Sequence, residues 1–330
     1  MTQRLEFIDI AKGLGIILVI LSHSVCPDLM FYTSACFVPI FFFCSGFTST
    51  HKNITLKENF VSHTIKLLKP YLLFSIILLL YFQDFSLRAV IGIFYSRYCL
   101  YPFGTVPNIE HLMTIGNYPM WFLTCMVATY FFYDVIIYFP KLQYYIIILY
   151  LLITIITTHL PILLPWSLDT APFMAIIMYC GTLLKVKYPN IFSLKKPHPI
   201  IILSIAAYFL LLPLCYNINI SVRMYGPSVV VYLLAALTGS IMLIYFSRLL
   251  QGTIMSKGFM LVGIHSLTIF SIEIPFVLIG KKVAFHIQEL YPQFQKPEIT
   301  AIIQLIMALI GGYIISIIIQ SNQYTKKLFF

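Results

Sequence analysis

Long apolar runs, separated by short polar and mostly basic connections, dominate the chain, and their length and period predict ten helical spans. Approximate limits are 8–28, 31–49, 69–83, 118–139, 143–164, 171–187, 199–215, 226–247, 259–280 and 299–320. The first run differs from the others. From Arg4 to Cys26 it reads RLEFIDIAKGLGIILVILSHSVC, apolar enough to enter a bilayer yet carrying Asp9, Lys12 and His23. On a helix, Lys12 and His23 are about 20° from an integral number of turns and Asp9 and His23 about 40°, so all three share one stripe. The helical rise separates Lys12 from His23 by about 16 Å along it. Ionisable groups on one face of an intramembrane helix point into a bundle or a watery cavity and mark candidate functional sites.

Composition fixes the class. Of 330 residues, 60% are hydrophobic and only 10% charged, a balance that soluble domains do not reach, so the expected fold is an all-α, polytopic transmembrane bundle occupying residues 1–330 as one domain. The net charge of +10 raises nucleic acid as a partner, but the cations lie in short clusters between apolar runs, which suits the lipid bilayer surface instead. With the N-terminus in the cytoplasm, fifteen of the 21 Lys and Arg residues fall inside and six (Arg88, Arg97, Arg223, Lys281, Lys282 and Lys296) outside, which predicts both termini cytoplasmic. The basic-then-apolar start resembles a signal peptide, but Asp9 and Lys12 interrupt it and no small-residue cleavage site follows, so it is expected to stay as the first span. Seven cysteines are scattered through apolar segments without metal-ligand spacing, and neither a metal site nor a permanently bound cofactor is expected.

Two connections stand out. Residues 83–117, with Arg88, Arg97, Tyr98, Tyr101, Pro102, Pro107, Glu110 and His111, read as an outer lid containing interfacial or re-entrant helix, or as an aromatic interface anchor. Residues 51–69 are amphipathic and basic, and Pro70 is expected to mark the entry to the third span. No internal repeat or low-complexity segment is present.

The segment FIDIAKGLGIILVILSHS resembles the first-span signature of the membrane-bound acyltransferase-3 family, especially the branch similar to fucose 4-O-acetylases. PIFFFCSGF at 39–47, HTIKLLKPY at 63–71, YPMWFLTCMV at 118–127, PWSLDTAPFMAIIMYCG at 165–181 and IHSLTIFSIE at 264–273 follow in the family's order. The resemblance implies an enzyme of the bacterial inner membrane that moves an acyl group, usually acetyl, from acyl-CoA to a hydroxyl of a cell-surface or exported carbohydrate. It matches the family's essential histidine to His23, an arginine position to Lys12, and a pair of arginines three apart to Lys66 and Lys69.

The chemistry agrees with that expectation. An alcohol is a weak nucleophile, and a neutral imidazole is suited to take its proton. His23 is therefore the expected general base, with a purely structural buried histidine as the bland alternative. Cys26 is a rival nucleophile on the same face, with nothing nearby in sequence to activate it, while Ser22 and Ser24 read as small hydrogen-bonding groups. Lys12 is expected to pair with Asp9 and to hold donor charge; Lys66 and Lys69 read as phosphate ligands or as cations obeying the positive-inside rule. Asp169 is open between a helix cap and an acceptor contact, Trp121 between an aromatic belt and a cavity wall. Glu273 departs from the branch, which often has histidine there, and an isolated carboxyl in that run needs a cation or water. The alternative function is a glycan or lipid-linked sugar translocator, for which paired halves or broken helices would be expected. A homo-oligomer is compatible with the sequence.

Overall fold

The computed structural model describes residues 5–26, 34–49, 56–97, 99–102, 119–193 and 196–329. Helices form almost all of it: α1 (Glu6–Ser22), α2 (Pro39–Thr48), α3 (Leu56–Phe82), α4 (Leu87–Tyr95), α5 (Trp121–Tyr138), α6 (Gln143–Thr157), α7 (Ala171–Lys187), α8 (Pro199–Leu211), α9 (Val229–Leu250), α10 (Ile254–Ile264), α11 (Ser266–Ser271), α12 (Glu273–Leu290), α13 (Pro297–Ser321) and α14 (Gln323–Phe329). One small antiparallel hairpin, β1 (Ile218–Asn219) and β2 (Met224–Tyr225), pairs Ile218 with Tyr225 and Asn219 with Met224.

Several apolar helices mark a membrane protein, and fewer than ten of them have the length and composition of a span among the described residues. Five helical stretches among the described residues are long and apolar enough to cross a bilayer: Glu58–Phe82, Trp121–Tyr138, Pro165–Lys187, Val229–Leu250 and Pro297–Ser321. Four further apolar helices among the described residues are shorter; α2, with ten residues, rises only about 15 Å. The expected third span and the basic stretch before it are one helix of 27 residues that passes through Pro70. Proline there lacks the N–H that the Lys66 carbonyl would have accepted, without ending the helix.

The expected ninth span, 259–280, is broken twice. His265 (φ −96°, ψ 9°) separates α10 from α11, and Ile272 (φ −128°, ψ 14°) separates α11 from α12. Pro275 explains the second break, because its ring opposes the Ser271 carbonyl four residues back. At the first, the His265 ring turns to α13, with Nδ1 2.7 Å from Ser316 Oγ. In the 83–117 connection, α4 lies back on α3, where the Tyr71 hydroxyl donates to the Ile93 carbonyl. Tyr98, Pro107, Glu110 and His111 of that connection lie outside the described residues.

Two backbone-to-backbone crossings set the bundle. A Cβ on Gly13 would lie 2.0 Å from the Phe259 carbonyl oxygen, and one on Gly46 1.8 Å from that of Met178, so α1 meets α10 and α2 meets α7 at points where only glycine fits. Helix directions follow from side-chain contacts. Phe7 packs on Phe47 at 6.5 Å and Gly15 lies against Phe41, so α2 runs antiparallel to α1. Gln251, just beyond α9, donates to Glu6 at 2.8 Å, so α9 begins, and the β-hairpin before it sits, at the His23 end of α1.

Candidate functional site

A cavity of about 540 Å³ runs between α1, α2, α3, α5, α11 and the hairpin. From α1 it is lined by Lys12, Ile16, Val19, Ser22 and His23, a face with helical spacing. The stripe expected from the sequence is thus present for Lys12 and His23. Asp9 is buried at 8% exposure and is not in the lining; its turn of α1 is the one crossed by Gly263 of α10.

The two ends of the cavity differ in charge. At the Lys12 end stand Lys66 and His63 of α3, Ser45 of α2 and Tyr130 of α5, with the His63 and Tyr130 rings stacked at 3.9 Å and 6°. At the His23 end stand Trp121, at the start of α5, and Asn219 and Ser221 of the hairpin. That end offers amide, hydroxyl and indole groups, and its titratable lining group among the described residues is the imidazole.

His23 terminates α1, and its Nδ1 lies 2.6 Å from Oε1 of Glu273, the first residue of α12. Glu273 is fully buried, with Oε2 lacking a hydrogen-bond partner among the described residues. The partner demanded by an isolated intramembrane carboxyl is therefore the histidine 250 residues away. The break at Ile272 is what aims Glu273: it starts a new helix at the level where α1 stops. Gln304 of α13 holds the same junction, accepting from the Val25 N–H at 3.1 Å and donating to the Val277 carbonyl at 3.2 Å. A glutamine within the apolar run 299–320 was the available sequence signal for it, and its side chain is buried.

Other expected site residues are distributed differently. Trp121 is 8% exposed and lines the cavity, so it is no interfacial belt residue. Lys66 faces the cavity, but Lys69 donates to the Lys327 carbonyl on α14 at 2.9 Å, and the two ammonium groups are not brought together there. Ser22 and Ser24 bond their own helix turn, to Val19 at 2.6 Å and Leu21 at 2.7 Å. Cys26 is a free thiol outside the cavity lining.

Asp169 neither caps α7 nor lines the cavity. The N-cap of α7 is Thr170, without a side-chain capping bond. The fully buried Asp169 carboxylate instead accepts from Arg97 Nη2 and, at 2.9 Å, from the Leu164 N–H, with Arg223 Nη1 3.3 Å away. Arg97 also donates to the carbonyls of Leu164 (2.9 Å) and Ser221 (2.7 Å), and Arg223 to that of Leu160 (2.6 Å). Burial lowers the Arg223 pKa from its ordinary value, with the Asp169 charge opposing the shift. These two arginines, expected among the outer surface cations, are thus withdrawn into the protein.

Apolar helices round a cavity lined by His23, with the buried Glu273 behind that ring, define a helical membrane protein with an internal cavity. The model of the acyltransferase-3 family, an acyltransferase domain, matches residues 5–320, and the chain belongs to that family. Membership supports a membrane acyltransferase activity. The match identifies the family and not the branch. No curated protein and no solved structure matched the chain.

Proposed function

We propose that the protein is an O-acetyltransferase of the bacterial inner membrane, moving acetyl from acetyl-CoA to a hydroxyl of a cell-surface or exported glycan. The carrying observation is His23, in the cavity wall and 2.6 Å from the buried Glu273. The carboxylate fixes Nδ1 as the protonated nitrogen, so Nε2 is the base. Nε2 takes the acceptor hydroxyl proton as that oxygen attacks the thioester carbonyl; the tetrahedral intermediate collapses, the C–S bond breaks, and the proton passes to the leaving thiolate. The charge difference along the cavity supports the direction of entry. Lys12, Lys66 and His63 suit the phosphates of the donor, arriving at the cytoplasmic face, and the neutral end suits a sugar. Acetyl-CoA is a co-substrate here, and the protein carries no resident cofactor.

The broken segment α10–α11–α12 is the observation that favours a translocator, since transporters use interrupted helices at their binding sites. Purified protein in sealed proteoliposomes, given labelled acetyl-CoA and a cell-envelope glycan extract, separates the readings. Thioester-dependent label on glycan is expected. Glycan movement across the bilayer without label would establish translocation instead.

A further inference from the structure

We propose that Asn219 and Ser221 form the acceptor-recognising wall of the cavity, binding neutral sugar hydroxyls, and that Arg97, Asp169 and Arg223 are positioning residues that hold this wall in place. The proposal rests on the acyl-transfer reading above.

Both residues line the cavity that contains His23, and they belong to the hairpin and the tight 3-10 turn at its tip, not to a long helix. Ser221 Oγ donates to Asn219 Oδ1 at 2.5 Å. That bond turns the Asn219 side chain so that its amide N–H groups remain as donors, while the serine oxygen keeps lone pairs as acceptors. A neutral pair offering both functions matches a sugar hydroxyl, which is itself donor and acceptor, and Trp121 at the same end supplies an aromatic surface for the ring.

A two-residue-per-strand hairpin has little stability of its own. Its turn carries Arg223 in the left-handed region (φ 61°), a conformation that costs a side chain such as arginine and persists when held. The holding is visible. Arg97 grips the Ser221 carbonyl, and Asp169 joins Arg97 to Arg223 at the far side of the turn. Arg97 is 0% exposed, so its charge serves the scaffold and is not offered to a ligand. The cluster therefore ties the segment after α4, the 160–169 segment and the hairpin into one rigid rim.

The test uses full-length protein in nanodiscs with labelled acetyl-CoA and the cell-envelope glycan extract as acceptor, and CoA-induced thermal stabilisation as an independent measure of folding and donor binding. Asn219→Ala is expected to raise the half-saturating glycan concentration about tenfold, the loss of one good hydrogen bond, with kcat changed less than about threefold and the CoA-induced shift retained. Arg97→Lys should raise the same glycan requirement while keeping the CoA-induced shift. An unchanged glycan requirement in Asn219→Ala, or a fall in kcat alone, overturns the wall. Loss of the CoA-induced shift in Arg97→Lys overturns the positioning role by making the cluster a general support of the fold. If the wild-type protein shows the CoA-induced shift but labels no glycan, the acyl-transfer reading itself fails and the wall with it.

Discussion

Two buried charge clusters lie at the same end of this bundle and have opposite designs. Arg97, Asp169 and Arg223 are sealed, with side chains at most 1% exposed; the Arg97 and Asp169 groups are spent on backbone and on each other, and Arg223 donates to the Leu160 carbonyl beside the Asp169 charge. His23 and Glu273 are sealed only on the carboxylate side: Glu273 is fully buried, the His23 side chain is 19% exposed, and the imidazole lines a cavity. Burying charge costs solvation in both cases. In the first the return is a fixed shape, in the second an imidazole left open to the cavity, as the proposed base must be.

The largest test of this contrast is His23→Ala. Transfer per folded molecule is expected to fall about 10²- to 10⁴-fold, the usual contribution of a positioned general base, beyond the lower melting temperature that an unpaired, buried Glu273 brings. Full activity at normal protein level would remove His23 from the reaction. Next is Glu273→Gln, which preserves shape but removes the charge behind the ring. Its expected loss is about 10²-fold, up to the 10⁴-fold seen when a triad loses its carboxylate, and CoA binding should be retained.

Asp169→Asn should reverse the pattern. Leaving two buried arginines uncompensated costs about 3–5 kcal/mol of stability, read as a lower melting temperature, while donor affinity of the folded fraction stays close to wild type. Equal losses of donor affinity and stability would erase the distinction between the clusters. The smallest effect sharpens the same contrast among single cations. Lys66→Ala should raise the half-saturating acetyl-CoA concentration by about tenfold, as expected for a charge-assisted phosphate contact, and Lys69→Ala by less than about twofold.

Within a helix, the sequence pattern was a good guide. The period that put Lys12 and His23 on one stripe corresponds to a real cavity face, and the run 171–187 is α7. Between helices it was silent. Nothing in the chain order joins position 23 to position 273, or Arg97 to Asp169, because those pairings arise from packing after the helices form. The broken ninth run shows a signal that hydropathy outweighed: Pro275 in an apolar stretch marks the interruption that aims Glu273. Lys66 and Lys69 show the converse. Their spacing is sound, but three residues leave about 60° between them around the helix, and α14 claims the second lysine.

That last contact has a practical side. Lys69 holds the Lys327 carbonyl at 2.9 Å, and Phe329 packs on Phe74 with ring centroids 5.0 Å apart, so the tail of the chain is moored along α3. An affinity handle or fluorescent reporter joined to α14 by a short linker pulls on the helix that presents Lys66 to the cavity, and under the proposed transfer the load is expected to read as a raised acetyl-CoA requirement.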